Sequence, residues 1–175
     1  YCSLAIFREQ IKFLLKKYKI VSLSEYIYNL KNNKCDRLAV LTFDDGTLDH
    51  YKFVFPELLK KKVTGTFFPI TSMLKKNPFP LEVHQVQYLL KCINNIDNFY
   101  KILCKLIINF FGKKELLKQQ KLWLKKNNWD EQKIVFIKRT LEIGLEKKKR
   151  KECLDYLFKK FSNISPTTLA KNLYL

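Results

Sequence analysis

Two short apolar runs, Leu38-Ala39-Val40-Leu41-Thr42-Phe43 and Gly65-Thr66-Phe67-Phe68-Pro69-Ile70, flank a stretch of helical character over residues 51–62. Both runs are rich in β-branched and aromatic residues and lack strict alternation, the pattern of strands buried on both faces. Strand, helix, strand at this spacing is a βαβ unit. The two strands must then run parallel, because only a long crossover returns the chain to the same end of a sheet. Ahead of this unit, Ile11, Leu14, Leu15 and Tyr18 recur at the spacing of one helical face. Ser22 and Glu25 stand at capping-box spacing and predict a second short helix through Leu30. The first stretch therefore reads as α/β.

Strand signals stop after Pro80. Val86, Leu89, Leu90 and Ile93 form one helical stripe, and Phe99, Ile102, Leu103, Leu106, Ile107 and Phe110 a longer one. Ile134, Ile137, Leu141 and Leu145 form a third, and Leu154, Leu157, Phe158 and Phe161 a fourth. Ser165-Pro166 caps and opens a last helix toward Leu173. The two prolines of Asn77-Pro78-Phe79-Pro80 mark the change of character. We expect an α/β part over residues 1–80 and an all-helical subdomain, inserted or packed alongside, over residues 81–175.

Composition excludes several classes. With 47% hydrophobic and 14% aromatic residues in a chain of 175, a packed core is expected and extensive disorder is not. The most apolar stretch, Tyr100 to Phe111, is interrupted by Lys101 and Lys105 and reads as an amphipathic helix, so no transmembrane segment is expected. Tyr1-Cys2-Ser3-Leu4 does not resemble a signal peptide, and the chain begins without Met. Cys2, Cys35, Cys92, Cys104 and Cys153 are odd in number, scattered and without a C-x-x-C pair. They predict free thiols in a reducing compartment, hence the cytoplasm, and no cysteine zinc site.

The net charge of +18 raises nucleic acid as a partner. The charge is spread over the chain, +7 in residues 1–80 and +11 in residues 81–175. Only Arg8, Arg37, Arg139 and Arg150 are arginines, the residue that dominates bidentate reading of phosphates and bases. Lys, Asn, Ile, Phe and Tyr are abundant while Ala and Gly are scarce, as an AT-rich coding bias produces. Nucleic acid is therefore not the expected partner.

The chemistry-bearing segment is Thr42-Phe43-Asp44-Asp45-Gly46, at the carboxyl end of the first predicted strand. Adjacent carboxylates there are costly to keep charged, and a cation would offset their repulsion. Gly46 permits the bend that brings both into one cleft, at the strand ends where α/β proteins build sites. The same residues also suit an ordinary turn, with Asp capping the next helix and Gly at positive φ. The buried strand before and the helix after favour a site.

Leu41-Thr42-Phe43-Asp44-Asp45-Gly46, a helix ending in Pro56-Glu57-Leu58-Leu59, and Gly65-Thr66-Phe67-Phe68 together resemble the polysaccharide deacetylases of carbohydrate esterase family four. The resemblance covers about residues 11–70. It implies a distorted (β/α) barrel, here partial and followed by the helical insertion. It also implies a divalent metal, usually zinc, and metal-assisted removal of N- or O-acetyl groups from a carbohydrate. By the same resemblance Asp44 is the catalytic base and Asp45 a metal ligand. The family's H-x-x-x-H ligand pair has no counterpart: only His50 and His84 occur, too far apart. His50 is a candidate to line the cleft or to cap the connecting helix, and His84 reads as structural. The helical region resembles a subgroup with an insertion ahead of the histidine motif, so an incomplete fragment, inactive alone and with an open sheet edge, is expected. Two further readings stand beside it: a basic helical module for nucleic acid or an anionic membrane surface, resting on Lys147-Lys148-Lys149-Arg150-Lys151, and a catalytically dead relative.

Overall fold

The computed structural model describes residues 2–76 and 78–174. Tyr1, Asn77 and Leu175, each part of a segment considered above, lie outside the described residues. The chain divides into two compact units, residues 1–78 with 171–175, and residues 79–170.

The first unit opens with α1 (Leu4–Lys17), whose N-cap Ser3 accepts from the Ile6 amide and which buries Ile11. A two-residue strand, β1 (Lys19–Ile20), leads into α2 (Leu23–Lys31), where Ser22 Oγ accepts from the Glu25 amide at 3.1 Å. The first predicted strand is realised as two pieces, β2 (Leu38–Ala39) and β3 (Thr42–Asp45), with different neighbours. Strand β2 pairs in parallel with β1, and β3 pairs in parallel with β4 (Thr66–Pro69). The extended run is thus bonded to one partner at its start and to another at its end. Residues 40–41 are the hand-over, where the Leu41 carbonyl already accepts from the Thr66 amide.

Between β3 and β4 the crossover is a π-helical turn, His50–Val54, running into α3 (Phe55–Lys61). Both parallel pairs are βαβ units, as β1–α2–β2 and as β3–α3–β4. The described strands make two parallel pairs and no closed barrel. Four strands of two to four residues are too few and too short to satisfy barrel geometry, which needs about eight.

The second unit is helical: α4 (Glu82–Cys92), α5 (Ile96–Phe111), α6 (Lys113–Trp123), α7 (Gln132–Arg139), α8 (Lys147–Phe161) and the start of α9 (Pro166–Leu173). Its core gathers Val86, Leu89, Phe99, Leu103, Ile107, Phe136, Leu141, Leu154 and Leu157. Phe99 and Phe136 are fully buried, and each such ring contributes roughly 1.5–3 kcal/mol by leaving water. The α5 stripe is narrower than its sequence pattern, since Phe110 is 46% exposed and stacks edge-on with Phe111. All five cysteines are free.

In the first unit, Glu57 ties α1 to α3. It is 7% exposed, accepts from Arg8 at 2.7 Å and from Lys60 at 3.1 Å, and these bonds hold its carboxyl down at about 2. A carboxylate depressed in the folded state stabilises above its ordinary value of 4.5 and loses that contribution as pH falls toward about 2. We expect the urea midpoint to fall as pH drops through that window. Glu57→Gln should start lower at neutral pH and show a flatter decline.

Candidate active site

Strand β3 alternates: Thr42 and Asp44 are exposed, whereas Phe43 and Asp45 are half-buried. Phe43 stacks on Phe67 of β4, with centroids 4.9 Å apart, and meets Phe7 of α1 edge-on at 6.3 Å. These aromatic contacts fix which face of the strand turns inward. Asp44 is thereby turned to solvent, with no hydrogen-bond or ion-pair partner among the described residues.

At the carboxyl end of β3 the chain turns through two successive left-handed residues, Asp45 (φ 72) and Gly46 (φ 61). The register sets Asp45 opposite Pro69. A side chain at Gly46 would meet Pro69 Cβ at 2.7 Å and Cα at 2.8 Å, so only glycine allows the turn to lie against β4. The expected bend at Gly46 is present. That Asp45 is also left-handed was not legible, although aspartate tolerates this region better than most residues. After the turn, Thr47 Oγ1 donates to Asp49 Oδ1, the His50 amide donates to the Thr47 carbonyl at 3.0 Å, and Thr47 forms an antiparallel bridge with Tyr174. A bridge across so many intervening residues has no local sequence signal.

His50 lies within the aromatic cluster, its ring 5.6 Å from Phe43 and 5.8 Å from Phe67. Its Nδ1 is buried without a hydrogen-bond partner among the described residues. Both neighbours are carbon rings, so the histidine serves here as an aromatic packing group at the start of the crossover. His84 lies in α4 of the other unit. Among the described residues no three His, Cys, Asp or Glu side chains come together to hold a metal ion. The described residues alone therefore do not supply the three protein ligands that a catalytic zinc takes. Asp45 offers one carboxylate.

One other sequence feature, the basic run, resolves differently. Within Lys147–Lys151, Arg150 is committed to Glu82 at 2.7 Å and to the Leu145 carbonyl. Lys149 reaches Glu115 at 3.6 Å and lies over the Phe111 ring at 5.0 Å. A cleft of about 880 Å³ in the helical unit is lined by Leu81, Gln85, Lys148 and Leu154 among others, and includes none of Asp44, Asp45 or His50.

A parallel βαβ unit with paired carboxylates at the carboxyl end of its first long strand has the build of an α/β enzyme site. Residues 31–93 match the family model for polysaccharide deacetylase. That segment, about a third of the chain, holds β2, β3, α3, β4 and α4, and over it the chain resembles the polysaccharide deacetylases. The match stops short of α1 and most of α2 and takes in the first helix of the helical unit. No curated protein matches the chain, and no solved structure does.

Two substitutions probe this geometry. Gly46→Ala should lower the unfolding free energy by about 1–3 kcal/mol, the usual cost of a strained backbone position, measured by urea denaturation. Unchanged stability would show that the turn does not lie against Pro69. His50→Phe should keep or slightly raise stability, by about 1 kcal/mol, because it removes an unpaired buried nitrogen from an aromatic cluster. A clear loss would mean that the ring nitrogen has a partner.

Proposed function

We propose that this chain carries the catalytic-base end of a metal-dependent hydrolase that removes N- or O-acetyl groups from a carbohydrate. The observation that carries the reading is the coincidence of the 31–93 family match with the aspartate pair at the carboxyl end of β3. Asp44, exposed on the open side of the strand, is suited to take a proton from the attacking water. The water oxygen bonds to the acyl carbon, the carbon–nitrogen or carbon–oxygen bond to the sugar breaks, the proton taken up by Asp44 passes on to the departing sugar nitrogen or oxygen, and acetate leaves. Asp45, half-buried and fixed by the left-handed turn, is suited to be one ligand of a divalent metal, zinc by the family resemblance. Such a metal would supply charge stabilisation at the developing oxyanion, and it would need ligands besides the described ones.

The basic-module reading loses support at Lys147–Lys151, since two of its five cations are engaged within the helical unit.

The test is acetate release from N-acetylated and O-acetylated sugars, with and without added zinc, using the longest polypeptide that its gene encodes. Asp44→Asn should cut zinc-dependent release by at least about a hundredfold, the contribution typical of a positioned base, while leaving the urea midpoint in place. Equal release from the variant would remove Asp44 from the chemistry. A folded protein that releases no acetate from any substrate would remove the activity.

A further inference from the structure

Helix α6 and the loop after it carry a feature that is independent of the deacetylase reading. Residues 113–129 hold six lysines and a single acid, Glu115, for a net charge of +5. Glu115 is turned inward: it accepts from Gln119 at 2.8 Å and lies 3.6 Å from Lys149 and 3.9 Å from Lys118. The same side of the helix buries Leu116 and Gln119 in the helical unit. The outer side presents Lys114, Leu117 and Lys121, and Lys118 and Leu122 flank it, all exposed.

Leu117 is 56% and Leu122 42% exposed, and Trp129 in the following loop is 91% exposed. That loop is pinned. Asn127 Oδ1 accepts from the amides of Trp129 at 2.8 Å and Asp130 at 2.6 Å, and Asp130 pairs with Lys138 of α7 at 2.7 Å. The indole is therefore held out on an ordered turn.

Exposed leucines and an indole among exposed lysines, of which Lys118 pairs with Glu115 and Lys126 with Glu131 at 2.8 Å, are a poor design for a protein core and wasteful for a phosphate backbone. The apolar groups gain nothing from nucleic-acid phosphates, and the segment has no arginine to read bases. An anionic bilayer uses both. Lysines meet the lipid headgroups while leucine and tryptophan side chains enter the headgroup–acyl boundary. No helix of the described residues is long and apolar enough to cross a membrane, so such a contact lies on the surface. We propose that the exposed face of α6, together with Trp129, docks on an anionic lipid bilayer.

The test is flotation of the whole chain with phosphatidylcholine vesicles, with and without phosphatidylserine, followed by intrinsic tryptophan emission. Binding should require phosphatidylserine and shift the emission to the blue. Replacing Lys114, Lys118 and Lys121 by Ala should weaken it about a hundredfold, from the cost per lysine at an anionic surface. Trp129→Ala should weaken it roughly tenfold and abolish the blue shift. Removing the same charge at Lys147, Lys148 and Lys151 should cost much less, which separates a docking face from general basicity. Circular dichroism of each variant checks that these exposed substitutions leave the fold intact. Equal losses from the two triple variants, with no effect of Trp129→Ala, would overturn the proposal. So would binding to phosphatidylcholine alone, or tighter binding to RNA at the same salt with Trp129 irrelevant.

Discussion

The geometry of the aspartate pair depends on one close approach, that of the Gly46 backbone to Pro69. Parallel pairing of β3 with β4 sets Asp45 opposite Pro69, and the left-handed turn then folds back against that same proline. Any side chain at Gly46 would push the turn away and loosen the last rung of the pair. The stacking of Phe43 on Phe67 makes the same demand from the other end of the strand, because a one-residue slip would send Phe43 to solvent. Register, turn and facing of the aspartates are thus a single constraint met by a glycine, a proline and two phenylalanines.

Charge is distributed by a similar economy. Acids are scarce, and several serve as internal anchors: Glu57 between α1 and α3, Glu115 on the inward side of α6, and Glu82 beneath Arg150. Each gathers one or more cations, and the excess lysines are left on outer faces. The large net charge therefore describes the surface more than the interior. It also explains why a basic run in the sequence is a poor guide to a binding face. Lys147–Lys151 looks the more concentrated of the two runs, yet it spends Lys149 and Arg150 on internal contacts. On α6 the sole acid faces in, and Lys118 is the lysine of that helix that pairs with it.

Local signals were legible where a single residue type meets a backbone need. Ser22 capping Glu25, Ser165 capping Thr168 and the bend at Gly46 all lie where the sequence places them. The βαβ unit was legible too, because two apolar β-rich runs around a helical stretch admit few alternatives. What escaped depends on partners distant in sequence. The split of the run from Leu38 follows from having β1 on one stretch and β4 on the next. Helix α6 was hidden because its inward face is built on Gln119, a polar residue fully buried between Glu115 and the Gly144 carbonyl, and not on an apolar stripe. His50 read as a cap or a cleft residue, and only the positions of Phe43 and Phe67 make it an aromatic packing group.

The two aspartates are adjacent in sequence but differ in setting, and that difference is what a site using both would need. Two carboxylates in one environment compete for the same proton. In different environments they can divide the roles of base and ligand. Alternation along β3 turns Asp44 out to solvent and leaves Asp45 half-buried, and the left-handed backbone at Asp45 then fixes that carboxylate relative to the strand. An ordinary surface turn requires neither the aromatic stack beneath it nor a glycine lodged against a proline of the next strand. Both features cost conformational freedom, and both fix where the two carboxylates stand at the end of β3.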